Sequence, residues 1–459
     1  MIVLELGRIV EELVSGVPSY KEFMTVRELV DSTRRLVGEH GDVAELVEVG
    51  PSRGDVPIYA LVIRGGDERR VLAFGFPHPN EPVGSLVLDY LSWRLVKDRE
   101  LFKAFGATWV IVKVADVYGA LLNEGWFKGP FDVRKYALNY YRPPPYKQVE
   151  WSFPIEYKEL KFTSPVPETA ALMKLIDEWR PTHIYSLHNA GFTGTYYYVA
   201  KRPSDRALKV MTEIPKRLGV PIHRGEPEAP YMSKIAEGVF RMPSTRETYD
   251  WLEKYLGRAP IDAIKHGGSS YDYASRVNPD VQEVVCEVPY IYDPRLDIDV
   301  EVGVPRREIL RIAISREKQL VRDFKIAMER VDKFVATDNP FYEALKSFTE
   351  TSERRIEAEE RWIEENKELE KSATVAQTFD AYLRTYWSPL LRYGLLYRAV
   401  THELSRGRSE AELQNTQEEA LSAIDRYVEV FNRLTKYYIV PVDKLVKIQL
   451  ASIVATLTD

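Results

Sequence analysis

Residues 71–84 read VLAFGFPHPNEPVG, and the fold turns on how this stretch is parsed. Arg70–Phe76 has the apolar, partly aromatic character of a buried strand. Glu81–Val96 then reads as a helix, with Pro82 in its first turn, where a missing N–H costs nothing. His78 and Glu81 stand on the turn between. A histidine and a carboxylate three residues apart at a strand end can aim a nitrogen and an oxygen at one point. Zinc takes such donors, typically three from protein with one position left open. Taken alone, the pair also fits an ordinary polar turn.

The alternation continues on both sides. Thr25–Leu36 and Pro167–Trp179 read as helices; Ile58–Ile63, Thr108–Val114, His183–Leu187 and Gln282–Val288 read as strands. Strands alternating with helices predict an α/β domain over residues 1–335, with a mixed, largely parallel sheet flanked by helices. His188 ends the strand in HIYSLH, and ligands of open α/β sheets gather at the carboxyl ends of strands. A third donor there can meet His78 and Glu81. His183 lies at the other end of the same strand. His40, His223 and His402 lie on polar segments and read as surface residues, and His266 precedes the Gly267-Gly268 turn. Glu287 sits inside QEVVCEVPY, where a carboxylate is costly unless paired or used. Beside a metal it can accept a proton from water; an ion pair with an arginine is the plainer alternative.

From about residue 305 the pattern is helical. Leu421, Ile424, Val428, Phe431, Leu434 and Tyr438 fall at three- and four-residue steps, and Leu445, Ile448, Ile453 and Leu457 make a shorter stripe. Phe379–Leu404 reads as a buried helix broken at Pro389. Of residues 353–371, 13 of 19 are charged, which reads as a solvated helix held by i,i+4 ion pairs. Residues 336–459 hold 16 basic and 21 acidic side chains, against 47 and 48 in the remainder, so a helical C-terminal module is expected from residue 336. Its apolar stripes must pack on each other, on the first domain, or on a second chain, the last making a homo-oligomer.

Composition excludes several classes. At 45% apolar and 29% charged residues the chain is ordinary globular protein, neither disordered nor fibrous. A net charge of −6 leaves no basic footprint for nucleic acid. No apolar run is long enough to span a membrane. The start, MIVLELGRIVEELV, is cut by Glu5, Arg8, Glu11 and Glu12 and is not a secretory signal. Cys286 is the only cysteine, so an internal disulfide is impossible and a cytoplasmic location is expected. Nine asparagines and seven glutamines, beside abundant Glu and Arg, match the thermophile pattern.

Six segments in order resemble the zinc metallocarboxypeptidase (funnelin) family, typified by the pancreatic carboxypeptidases. SYKEFMTVRELVDSTRRL (19–36) is similar to the family's opening helix and VGPSRGDVPIYALVI (49–63) to its following strand pair. FGFPHPNEPVG (74–84) resembles the His-x-x-Glu zinc motif and YSLHNAG (185–191) the segment with the third ligand. GGSSYDYA (267–274) and EVVCEV (283–288) resemble the late loop and the strand carrying the catalytic glutamate. The resemblance covers roughly residues 18–335. It implies one Zn²⁺, with Co²⁺ as a substitute, held by His78, Glu81 and His188, and Glu287 as general base. No propeptide-like segment precedes it, so no zymogen is expected.

The departures concern substrate recognition. Where the family has an Asn-Pro-Asp-Gly turn, this chain has Ala115-Asp116-Val117-Tyr118-Gly119, and where the family's arginine comes shortly after a Trp, Trp126 is followed by Phe127 and Lys128. The Asn-Arg pair that grips a substrate carboxylate falls near LNYYRP, where Asn139 is followed by Tyr140 and the nearest arginine is Arg142. Arg142, Arg134 and Lys128 are the local cations that can substitute, each equally readable as a surface charge. Tyr271 would line the side-chain pocket and favour small or medium side chains. The expected function is metal-dependent hydrolysis of peptide bonds, as a carboxypeptidase releasing C-terminal amino acids. One alternative is a deacylase or amidohydrolase of small N-acyl amino acids on the same site. The other is a non-enzymatic, degenerate peptidase used as a binding module.

Overall fold

The computed structural model describes every residue except Met1 and Asp67. The strands, in chain order, are β1 (Ala44–Pro51), β2 (Pro57–Ile63), β3 (Arg69–Gly75), β4 (Ala107–Val112), β5 (Ile155–Tyr157), β6 (Leu160–Phe162), β7 (His183–Ala190) and β8 (Tyr196–Val199). They continue as β9 (Lys234–Ala236), β10 (Val239–Arg241), β11 (Gln282–Pro289), β12 (Ile291–Tyr292), β13 (Glu301–Pro305), β14 (Ser372–Thr374) and β15 (Tyr438–Ile439). The helices are α1 (Ile2–Ser15), α2 (Val26–His40), α3 (Val83–Lys97), α4 (Arg99–Phe105), α5 (Val117–Asn123), α6 (Val133–Asn139), α7 (Pro167–Trp179) and α8 (Asp205–Arg217). After them come α9 (Thr245–Leu256), α10 (Ser270–Val277), α11 (Arg306–Val331), α12 (Pro340–Glu365), α13 (Val375–Ser405), α14 (Ala411–Leu434) and α15 (Val442–Leu457).

One mixed sheet of nine strands, in the order β1-β2-β4-β3-β7-β11-β8-β10-β9, carries the molecule. Its centre, β4-β3-β7-β11, is parallel, as expected for strands joined through helices. The β1-β2-β4 side and the β11-β8 and β10-β9 pairs are antiparallel, so the sheet is less dominated by parallel pairing than the sequence suggested. Strand β4 is buried along its whole length, and β3, β7 and β11 along most of theirs, which is why they read as apolar runs rather than alternations.

Two boundaries shift at the decisive stretch. Phe76 leaves the strand with φ 52°, a left-handed conformation unusual for an aromatic residue. The helix expected from Glu81 starts at Val83, because His78 to Glu81 closes a separate turn through the Glu81 N–H and the His78 carbonyl, 3.1 Å apart. Gly84 then lets the first turn of α3 press onto β7: a Cβ there would stand 2.6 Å from the Leu187 Cβ.

Helices do occupy the C-terminal part, but packing crosses the expected division between 1–335 and 336–459. α11, before it, packs against α12 and α13. α15, near the chain end, lies on the sheet against α3, α8 and β11. Residues 448–457 of α15 are all buried, so this mostly apolar stretch is enclosed on every side. Pro389 does not break α13, which runs unbroken from Val375 to Ser405. The one backbone hydrogen bond that a proline forfeits is outweighed by flanking turns locked into the core through Trp387, Leu390 and Leu395. The charged segment 353–371 is only partly solvated: Ile356 and Ile363 are buried, and its ion pairs largely bridge helices, as in Arg311–Glu364 at 2.5 Å and Lys318–Glu360 at 2.6 Å.

Candidate metal centre

The parallel strands β3 and β7 end side by side, Gly75 opposite Leu187. The turn after β3 carries His78 and Glu81, and the end of β7 carries His188. One ligand atom from each of the three lies within 4.8 Å of the others, and all three side chains are buried. His188 Nδ1 is 3.0 Å from Glu81 Oε2 and 3.6 Å from Glu287 Oε1. Neither His78 Nδ1 nor His188 Nδ1 has a hydrogen-bond partner. Two orphaned buried imidazole nitrogens facing one carboxylate are costly without a ligand between them. The donor set, two nitrogens and one oxygen with room for a fourth ligand, fits zinc. Burial first, then Arg142 and His188, holds His78 well below the usual histidine range, so it is neutral and able to ligate.

Surrounding groups fix these donors. His188 Nε2 lies 2.8 Å from Ser186 Oγ, which leaves Nδ1 free to face the cluster. Ser186 in turn donates to Glu150 Oε2 at 3.2 Å. The Asn189 N–H donates to Glu81 Oε2 and Arg142 Nη1 to Glu81 Oε1, both at 3.1 Å. Glu287 faces His188 across the β7-β11 register. Its carboxyl is pushed well above the ordinary range by burial, then by the charges of Glu81 and Glu228, with Arg142 opposing.

A cavity of about 350 Å³ opens beside the cluster. Arg142 lines it, whereas the other cations named from the sequence stand elsewhere. Arg134 pairs with Asp425 at 2.6 Å, and Lys128 with Glu28 at 2.7 Å and Glu22 at 3.3 Å. Asn139 Nδ2 donates back to the Lys135 carbonyl within α6. Tyr271 packs behind the wall, on the cluster of Ala190, Tyr196, Tyr198, Met242 and Val285. His223, expected at the surface, is buried and lines the cavity, with Nε2 2.9 Å from the Glu226 carbonyl, because its polar segment folds back over β8.

The sequence reading missed Glu150, Tyr196, Tyr198 and Glu228, and two residues of α13, Arg384 and Trp387. The YYYV run of β8 was the available signal for the tyrosines. Nothing local marks Arg384 or Trp387, which reach the cavity from a helix far downstream of its other lining residues. Gly191 permits this approach: a Cβ there would lie 2.6 Å from Trp387 Nε1.

No family model and no curated protein matches the chain. Its solved neighbours are metallocarboxypeptidases and metallopeptidases. Carboxypeptidase A from Helicoverpa armigera shares 14% identity over 62% of this chain and 71% of that one, with a TM-score of 0.38. Bovine thrombin-activatable fibrinolysis inhibitor, in complex with tick carboxypeptidase inhibitor, shares 10% over 76% and 98%, at 0.36. A metallo-carboxypeptidase from Burkholderia cenocepacia shares 13% over 56% and 58%, at 0.31. Likeness at that level carries no argument about activity; the chemistry rests on the geometry of the site itself.

Proposed function

We propose that the chain is a metal-dependent hydrolase of peptide bonds, acting as a carboxypeptidase on small substrates. The observation that carries this reading is the convergence of the two unpartnered Nδ1 atoms with Glu81, next to Glu287. His78, Glu81 and His188 would hold Zn²⁺, which when bound acidifies water and polarises a carbonyl. Glu287 would take the proton of the attacking water and pass it to the leaving amine. Arg142, anchored through Glu81 and Gln148, leaves Nη2 without an acceptor among the described residues. It would bind either the carbonyl oxygen as charge develops or the substrate's terminal carboxylate.

Zinc analysis of the purified protein, with chelator-sensitive release of C-terminal amino acids, tests the reading. His78→Ala, Glu81→Ala and His188→Ala should each lose most of the metal and nearly all activity. One equivalent of zinc retained by the triple variant would refute the assignment. Amidating the substrate's C-terminus should lower kcat/KM sharply.

A deacylase of small N-acyl amino acids is the second reading. It is favoured by one observation: Arg134, Lys128 and Asn139 all point their polar groups elsewhere, leaving Arg142 as the one member of the sequence-named recognition set at the cavity. Equal rates on amidated and free peptides, with faster turnover of N-acyl amino acids, would select it.

A further inference from the structure

Four carboxylates line the cavity, and three have clear neighbours. Glu81 and Glu287 face the cluster, and Glu150 is buried among the hydroxyls of Ser186 and Ser270. Glu228 is different. It is exposed, on the segment between α8 and β9, and each of its oxygens accepts one phenol: Tyr196 Oη on Oε1 and Tyr198 Oη on Oε2, both at 2.7 Å. No cation lies within ion-pair distance of it among the described residues. The cation that shares its wall, Arg384, is already engaged by Asp380 at 3.2 Å and by the Glu226 carbonyl at 3.0 Å, and Glu226 itself pairs with Arg306.

The phenols make a rigid mount. Tyr196 and Tyr198 alternate on β8 and so share a face of the sheet, opposite Glu287 and Val285 of β11. Burial, followed by the charge of Glu228, pushes both phenols well above their usual range, so they remain donors at every working pH. The two tyrosines pack with Met242 and Val285, and Phe240 and Met232 lie against them, so part of the cavity lining beside the mount is apolar. Arg142 and Arg384 are the cations of the same cavity.

A carboxylate held by two phenols, in direct ion pair with no cation among the described residues and feeling Arg384 only at longer range, is in a cavity with apolar lining a receptor for a cation on an aliphatic stem. We propose that Glu228 binds an ammonium or guanidinium group of the substrate, so that the cavity selects substrates carrying positive charge. This rests on the hydrolase reading for its reaction, though not for its binding. The charge has two sources in a short peptide: a basic side chain or the free α-amino group.

The zinc-loaded, full-length protein carrying Glu287→Gln separates these cases, since turnover is slowed and Glu228 becomes the cavity's remaining anion outside the metal shell and the serine-bound Glu150. Three tripeptides are titrated: acetyl-Gly-Gly-Lys, acetyl-Gly-Gly-norleucine and unacetylated Gly-Gly-norleucine. A charged hydrogen bond of this kind should make one of the cationic peptides bind at least about 10-fold tighter than the neutral one. Adding Glu228→Gln, whose amide oxygen still accepts from a tyrosine, should erase the difference. A preference for the lysine peptide assigns the side chain, and one for the free amine assigns the chain start. Equal binding of all three, a preference that survives Glu228→Gln, or no binding at all overturns the proposal. Absence of turnover by the parent protein, with the binding preference intact, counts against the hydrolase reading alone.

Discussion

Ser270 Oγ lies 2.5 Å from Glu150 Oε1 and 2.5 Å from Glu283 Oε1. A hydroxyl has one proton to give, so two ionised carboxylates cannot both be satisfied there. Glu283 is fully buried, and burial, then the charge of Glu150, pushes its carboxyl well above the ordinary range. It is therefore read as the protonated member, sending its hydrogen to Ser270, which donates to Glu150. The sign of the pH dependence follows. An unfolded glutamate loses its proton near pH 4.3, at about its reference value. The folded state keeps that proton, so the stability it contributes is complete below that pH and is lost as pH climbs toward the folded-state value. Glu283→Gln, uncharged throughout, should melt higher than the parent by a margin that grows from pH 5 to pH 8. A constant or shrinking margin would mean that Glu283 is not the protonated partner. Glu287 has a different test. Glu287→Gln should keep zinc and fold while kcat falls at least about 100-fold, the low end for general acid–base catalysis; parent-like turnover with metal present would remove it from the mechanism.

At the scale of elements, α15 ties the chain's end to its chemistry. Gln449 is a fully buried amide on the enclosed part of α15. Its Nε2 donates to the His188 carbonyl at 2.7 Å and to the Cys286 carbonyl at 3.1 Å, joining β7 and β11 just where they carry His188 and Glu287. Gln449→Met keeps the volume and strands both carbonyls, which should cost about 1–3 kcal/mol of stability. It should also weaken zinc binding, because the His188 backbone loses a support. A stable variant with unchanged zinc affinity would reduce Gln449 to a bystander. The sequence showed α15 as an apolar stripe and placed His78 and Glu81 on the turn after a strand, His188 at a strand's end and Glu287 within a strand, because period and strand polarity are local properties. It could not show that Gln449 reaches β7, since that contact spans 261 residues of chain. The same limit hid Glu150 and Glu228. Each is one acidic residue on an irregular segment, and only the folded sheet brings hydroxyls to it. Conversely, Arg134 and Lys128 were named for nearness in sequence, and each found a carboxylate partner outside the cavity.

For the whole molecule, the question is what the helices after α10 add. Removing residues 336–459 would strip α15 from the sheet as well as the helices above the cavity, so that truncation should fail to fold cooperatively and cannot show what the helices add. A smaller change can. Trp387 touches Phe192 and Tyr136 with ring centroids 5.7 and 5.9 Å apart, and with Arg384 it forms the part of the cavity wall contributed by α13. A second cavity of about 500 Å³ lies beyond this wall, between α11, α12 and α13, and shares Phe192, Glu228, Arg384 and Trp387 with the first. The wall therefore stands between the metal cluster and a space large enough for more of a peptide. If α13 limits substrate length, Trp387→Leu should join the two spaces. The ratio of kcat/KM for hexapeptides over dipeptides should then rise several-fold, with the metal retained. Some stability should be lost as well, less than the about 3–5 kcal/mol that a buried Trp→Ala change costs. An unchanged ratio in a folded, zinc-loaded variant would show that α13 sets no length limit, leaving its contact with the cavity a matter of packing.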